Sequence, residues 1–235
     1  MNRPWPAPSA LLLAALLAPG AAWGQDPPPV PGADRSGLYL GHAWVAHERR
    51  LPILGLLEAR TDTWVLARIT DLGDRLLVEQ QPCDMAVAPV AGVRVGMSED
   101  AVPRLPIARF ELQVQGEALV APTWTTGWGE EDLDQDGLPG VTIRVQAALC
   151  GGHLQVASTT WSQARATWTA QGLEGELDVQ LAQRILDASG ACLRMAAHDS
   201  TDRMHGRIRY APAPADATCT DLARAAWPVA DDRPR

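Results

Sequence analysis

Short runs of alternating apolar and polar residues, separated by turn residues, limit what this chain can fold into more than any other feature. Residues 64–69 place Val, Ala and Ile on one face of a strand and Trp, Leu and Arg on the other, because successive side chains of a strand point to opposite sides. Residues 71–74 (Asp-Leu-Gly-Asp) supply a turn, and residues 75–80 alternate again. This pattern predicts a β-hairpin.

The same alternation recurs at residues 141–146 and 176–181, with further turn pairs such as Gln115-Gly116 and Ser189-Gly190 between such runs. Many half-polar strands joined by short turns predict an all-β, antiparallel meander. Closure into a barrel would remove exposed edges, so a barrel is the first expectation and a two-sheet β-sandwich the alternative. Residues 178–189 also fit a helix, and residues 98–100 could cap a short one.

The two ends of the chain have their own composition. Residues 1–24 have the layout of a signal peptide, since an apolar run too short to span a bilayer precedes small residues suited to cleavage before Gln25. A Pro-rich, disordered lead-in is expected at 25–36, a single β domain at 37–228 and a disordered tail at 229–235. The mature protein is expected to be periplasmic or secreted, without a transmembrane segment.

The cysteines and the net charge narrow the function classes. Two disulfides are expected in an oxidising compartment; three pairings are possible, and Cys83–Cys150 with Cys192–Cys219 is preferred. The absence of a CxxC spacing speaks against a zinc or redox site. The formal net charge of −8 argues against nucleic acid and anionic membrane surfaces as partners.

An acidic loop is the one segment that indicates a specific chemistry. Asp132, Asp134 and Asp136 alternate and are followed by glycine, so their oxygens could surround a hard cation such as Ca²⁺, with the backbone carbonyl of Leu138 as a further ligand. An EF-hand would have a bidentate glutamate where Ile143 stands, and a helix rather than an alternating strand on either side. We therefore expect a structural Ca²⁺ site with weak affinity, on the order of 10⁻⁴–10⁻³ M.

Two glutamates precede the loop and could complete the ligand shell. Glu130 and Glu131 are the nearest spare carboxylates. The alternative is a solvated acidic turn without metal, because acidic runs are common in loops.

Residues 132–142 resemble the D-x-D-x-D-G-x-P-G-V-T signature of a loose group of uncharacterised exported bacterial proteins. The resemblance covers residues 37–220. It implies a calycin-like (lipocalin-like) barrel and a metal site in the loop, and it brings no established activity.

No other motif predicts a reaction. The cluster of His198, Asp199, Asp202 and His205 matches no zinc spacing, and no nucleophile elbow or phosphate-binding glycine loop is present. Tryptophans beside the acidic loop could line a ligand mouth, or they could pack in the core. The sequence predicts a non-enzymatic, calcium-stabilised barrel that binds a small apolar ligand or serves as an envelope-associated module. The alternative is a secreted hydrolase with a structural Ca²⁺ and a carboxylate/His centre.

Overall fold

A computed structural model describes residues 34–51, 55–98, 100–148 and 150–220. The predicted signal peptide at 1–24 and the predicted tail at 229–235 lie outside these residues, as do most of the predicted lead-in at 25–36 and the last residues of the predicted domain. The described chain contains β-strands, one short 3₁₀ turn (Val102–Arg104) and one helix, α1 (Gly190–Ala196). The strands are β1 (Gly37–Leu51), β2 (Gly55–Asp71), β3 (Arg75–Val87), β4 (Arg94–Met97), β5 (Ala108–Gln115), β6 (Ala118–Trp128), β7 (Val141–Gln146), β8 (Gly152–Thr169), β9 (Gly172–Ala188) and β10 (Ser200–Pro212).

All ten strands belong to one antiparallel sheet that closes on itself. Eight of them form a hydrogen-bonded ring in the order β8-β6-β5-β3-β2-β1-β10-β9, closed by the pairing of β9 with β8. The ring strands do not lie evenly around one axis. The first part of β8 pairs with β7, which continues to β4, whereas its second part pairs with β6. The all-β, antiparallel prediction is confirmed.

The predicted hairpin is present, and its faces are oriented as the alternation indicates. Strands β2 and β3 pair in antiparallel register, and the turn is closed by the N–H of Leu72, which donates to the carbonyl of Arg75 at 2.9 Å. The side chains of Val65, Ala67 and Ile69 are almost completely buried. They join one apolar core inside the ring.

Closely packed side chains fill one part of the ring interior, and another part encloses a cavity. The packed part contains Tyr39, Phe110, Leu173 and Tyr210, all of which are buried. The cavity is lined by methionine, tryptophan and aliphatic side chains, together with serine and threonine from β8.

The two helical expectations had different outcomes. Residues 178–188 belong to β9, because they pair with β8 on one side and β10 on the other. The helix that follows is confined to α1. The helical turn nearest to Ser98 and Asp100 is the 3₁₀ segment Val102–Arg104, whose N-cap residue is Ala101 and has no side-chain cap.

The prediction of two disulfides is confirmed, but the preferred pairing was wrong. Cys83 bonds to Cys219, and Cys150 bonds to Cys192. Cys150 precedes β8 and Cys192 follows β9 in α1, so the antiparallel pairing of these two strands brings the cysteines together. Proximity in the sequence favoured the other pairing, but ring closure determines which ends meet.

Disulfides are consistent with an extracellular or periplasmic compartment. Among the described residues, no helix combines the length and the apolar character needed to cross a membrane.

The buried Tyr210 predicts a loss of stability at high pH. Burial raises the pKa of its phenol far above the ordinary value, and its hydroxyl donates to Oε1 of Gln80 at 2.6 Å. The unfolded chain would ionise this group near pH 10, so the stabilisation is complete below that pH and is lost as the pH rises above it. Urea unfolding between pH 8 and 11 should show this decline. Tyr210→Phe should flatten it, and an unchanged slope would contradict the assignment.

Candidate metal centre and interior cavity

The acidic loop connects β6 to β7 at the cavity end of the ring. β6 ends at Trp128 and β7 begins at Val141. Two backbone hydrogen bonds close the loop: Gly140 N–H donates to the carbonyl of Glu130 at 3.1 Å, and Leu133 N–H donates to the carbonyl of Gly140 at 3.2 Å. The loop is therefore held at both ends by strands of the same sheet.

The three aspartates converge as the spacing predicts. Asp132, Asp134 and Asp136 each offer one carboxylate oxygen, and these oxygens all lie within 4.8 Å of one another. No other group of three or more metal-ligating side chains occurs in the part of the chain that the structure describes. Ion-pair partners for these carboxylates are also absent among the described residues.

Backbone N–H groups of the loop hold Asp132. Its two oxygens accept from Asp136 at 3.1 Å and from Gly137 at 2.9 Å. Asp136 in turn accepts from the N–H of Leu138 at 2.9 Å. These bonds fold the loop back on itself and help to orient two of the three carboxylates from within the loop.

Thr142, on β7, fixes the other side of the cluster. Its N–H donates to Oδ2 of Asp134 at 3.0 Å, and its hydroxyl donates to Oδ2 of Asp136 at 2.5 Å. Thr142 is itself buried, and its carbonyl accepts from the N–H of Ser98 at 3.0 Å. Sequence reasoning did not assign Thr142 a role, although it is the last residue of the quoted signature.

The decisive feature of the site is the second oxygen of Asp134. This side chain is only 5% exposed, and its Oδ1 is buried without any hydrogen-bond partner. A buried, unpartnered carboxylate oxygen is costly, and the cost grows when two further carboxylates lie beside it. A cation among the three carboxylates would remove both penalties. The donor set, which consists of oxygens alone, suits Ca²⁺ or Mg²⁺ rather than a soft metal.

Arg104 braces the loop from outside without neutralising it. Its guanidinium donates to the backbone carbonyl of Asp134 at 3.1 Å and to the side-chain oxygen of Gln135 at 3.1 Å. Gln135 has a φ of 59°, which is uncommon for a residue other than glycine. The loop therefore has a defined conformation.

The other predicted ligands are placed as follows. Glu130 forms an ion pair with Arg184 at 2.6 Å, and Glu131 accepts from the N–H of Gly129 at 2.9 Å. Neither is part of the group of three. The side chain of Leu138 is exposed. The roles of Glu130, Glu131 and the Leu138 carbonyl as ligands stay predictions.

In comparisons with known proteins, the chain matches no family model, no curated protein and no solved structure. The assignment of the metal centre therefore depends on the geometry of the loop.

Three residues of the candidate catalytic cluster contact separate groups. Asp199 accepts from the N–H of Ile185 at 2.8 Å, Asp202 accepts from the hydroxyl of Ser200 at 3.1 Å, and His205 contacts Asp178 on the outer face of the sheet. None of these contacts joins the residues into one polar centre.

The interior cavity has a volume of about 290 Å³, at the small end of ligand sites. Each strand of the ring contributes to its wall, and so do β4 and β7. Trp124 and Trp128 lie in this wall, so two of the tryptophans near the acidic loop line a cavity. The residues lining it include no Asp, Glu, His, Arg or Lys. The carboxylate/His centre of the hydrolase alternative is therefore not among the described residues that line this cavity.

Proposed function

We propose that this chain is an exported, calcium-stabilised β-barrel protein without enzymatic activity, which carries a small apolar ligand inside the ring. An envelope-associated module is the broader form of the same proposal. One observation carries the metal part: Asp134 has a buried, unpartnered oxygen, and its carboxylate group converges with two further carboxylates. The ring of strands and the cavity support the barrel and the ligand.

Calcium is favoured over magnesium by the form of the loop. Ca²⁺ accepts six to eight oxygens in flexible geometry, whereas Mg²⁺ requires a near-octahedral shell and retains several waters. Here the three carboxylates come from one short loop, which leaves room for carbonyl and water ligands on the remaining sides. The absence of an EF-hand glutamate keeps the expected dissociation constant near 10⁻⁴–10⁻³ M.

Export is supported by independent features. The disulfides require an oxidising compartment to persist, and the sequence predicts a signal peptide at 1–24.

Thermal unfolding with and without Ca²⁺ tests the metal site. At 5 mM Ca²⁺ and a dissociation constant near 10⁻⁴ M, binding would stabilise the native state by about 2.3 kcal/mol. For a domain of this size that corresponds to a rise in Tm of roughly 5–9 °C over EDTA. Mg²⁺ at the same concentration should give a clearly smaller rise, and identical melts in Ca²⁺ and EDTA would contradict the proposal.

Asp134→Asn is the matched control, because the amide keeps the shape and the oxygen that accepts from Thr142 N–H. It removes the buried charge and with it the affinity for the cation. In EDTA the variant should melt above the wild type, since less repulsion remains. In Ca²⁺ it should melt below the wild type and show no shift. A variant that melts lower in both buffers would point to a packing role for Asp134 instead.

The ligand part of the proposal follows from the size and polarity of the cavity. An apolar cavity of about 150 Å³ holds one benzene molecule, and this one has about 290 Å³. A two-ring aromatic compound such as naphthalene is therefore a suitable probe. Trp124 and Trp128 would report its binding through their fluorescence.

A further inference from the structure

We infer that the interior ligand is an uncharged molecule of about ten to thirteen non-hydrogen atoms, with a hydroxyl or carbonyl group that hydrogen-bonds to Ser158. The size follows from the ratio of this cavity to one that holds benzene. This inference deepens the proposed carrier function and rests on it.

The charge of the ligand follows from the composition of the cavity wall. The lining residues are apolar or carry neutral hydroxyl, amide and indole groups. An ionised ligand would lose its hydration without gaining a charged partner, and this cost is large. Carboxylates, phosphates and ammonium compounds are therefore excluded as tight ligands of this cavity.

A row of hydroxyl groups gives the wall its polar side. Ser158, Thr160 and Ser162 alternate along β8 and point into the cavity. Ser158 pairs with Gln183 on β9 and with Trp128 on β6. The polar side of the wall therefore reaches the same end of β6 from which the acidic loop starts.

Ser158 is the position in this row that needs a partner. It is only 3% exposed, and its hydroxyl has no hydrogen-bond partner. Two other polar atoms of the wall have partners: Oε1 of Gln80 accepts from Tyr210 at 2.6 Å, and Nε1 of Trp128 donates to the carbonyl of Val156 at 2.7 Å. Among the described lining residues, Ser158 is the one with a buried polar atom left unpartnered. Buried hydroxyl groups are nearly always hydrogen-bonded. Rotation of this short side chain about χ1 would turn its hydroxyl towards a ligand in the cavity and provide the missing bond.

The rest of the wall fixes the apolar part of the ligand. Val45, Met85, Val87 and Leu181 come from three different strands and line the same space. They offer aliphatic and thioether surface to a flat or bulky hydrocarbon. A compound with one polar group and an otherwise apolar body therefore matches both sides of the cavity.

Three probes with the same aromatic ring system separate these features: naphthalene, 1-naphthol and 1-naphthoate at pH 7. Their dissociation constants can be measured through tryptophan fluorescence and confirmed by calorimetry. We expect 1-naphthol to bind about three- to tenfold more tightly than naphthalene, the gain expected of one hydrogen bond. We expect 1-naphthoate to bind at least a hundredfold more weakly than 1-naphthol, because its charge must be buried.

Ser158→Ala tests the anchor. The variant should bind naphthalene with unchanged affinity, and the advantage of 1-naphthol should disappear. The matched control is Thr159→Ala, because Thr159 precedes Thr160 on β8 and points to the opposite face; it should keep the wild-type preference. Thr160→Leu fills the cavity and should abolish binding of both compounds, and Ala43→Leu serves the same purpose if Thr160→Leu does not fold.

The outcomes distinguish this inference from the proposal beneath it. If naphthalene fails to bind the wild type, the carrier function itself is wrong. If naphthalene binds but 1-naphthol is no tighter, or if Ser158→Ala keeps the preference, then the anchor is wrong and the carrier function stands. Tighter binding of 1-naphthoate than of 1-naphthol would overturn the neutrality of the ligand.

Discussion

Replacing Cys83 and Cys219 with serine is expected to lower the free energy of unfolding by about 5 kcal/mol, since the bond closes a loop of 136 residues. Cross-links restrict the unfolded chain more when they close longer loops. The matched control is replacement of Cys150 and Cys192, whose bond closes 42 residues. The same chain-entropy argument gives about 4 kcal/mol for that pair. Urea unfolding of both double variants, monitored by tryptophan fluorescence, provides the comparison.

The position of the Cys83–Cys219 bond strengthens this expectation. The segment after β10 begins with Ala213, whose N–H donates to the carbonyl of Leu38 at 2.8 Å on β1. Near the end of this segment, Cys219 bonds to Cys83 on β3, and β1 and β2 lie between β10 and β3 in the ring. The bond therefore links the end of the described chain to a strand three positions away from β10 in the ring. Equal stability losses for the two double variants, or a larger loss for Cys150 and Cys192, would contradict this ranking.

The faces of single strands could be predicted from the sequence, whereas the partners of those strands could not. Alternation is a local property, so the burial of Val65, Ala67 and Ile69 followed from a few neighbouring residues. The partner of β8 changes along its length from β7 to β6, and no local pattern encodes such a change. The disulfide pairing depends on these long-range pairings, and for that reason it was predicted wrongly.

In the candidate site, too, some features could be predicted from the sequence and others could not. Three aspartates within five residues lie close together in almost any turn, so their convergence was predictable from spacing. The burial of Asp134 and the contribution of Thr142 depend on β7 pairing with β8 and on the contact of Thr142 with Ser98. These are tertiary contacts, and the loop sequence alone does not contain them.

The cavity was the feature that was hardest to predict from the sequence. The hydroxyl side chains of Ser158, Thr160 and Ser162 are typical of a strand face that points to solvent, because serine and threonine are mostly exposed in folded proteins. Only the closure of β9 onto β8 turns this polar row inward. This polar row, which faces the interior beside an apolar core, is the observation on which the proposed ligand depends.

The acidic loop and part of the cavity wall are held by the same two strands, β6 and β7. Trp128, the last residue of β6, and Ile143, on β7, both line the cavity, and the acidic loop joins these two strands. Ordering of the loop by an ion should therefore also steady part of the cavity wall. Gly140 is the residue at which the loop meets the sheet, so substitutions there test this connection most directly.

Gly140→Ala is expected to cost about 3 kcal/mol or more and to reduce the Ca²⁺-dependent rise in Tm. Gly140 has a φ of 78°, and a Cβ at this position would lie 2.6 Å from the carbonyl oxygen of Val156 and 2.8 Å from Leu186. The first contact is with backbone of β8, so it can be relieved only if the start of β7 moves. Such a movement would displace Thr142 and the two carboxylates that it holds. The backbone strain of an αL alanine adds about 1 kcal/mol.

Gly137→Ala is the matched control within the same loop. Gly137 has a similar φ of 86°, but a Cβ there would meet nothing within 4 Å. Its substitution should therefore cost only the strain term of about 1 kcal/mol, and the rise in Tm with Ca²⁺ should remain. Urea unfolding of both variants in EDTA and in 5 mM Ca²⁺ separates the steric contribution from the strain. If both alanines cost the same, then Gly140 does not press on β8, and the loop is not coupled to the sheet through this contact.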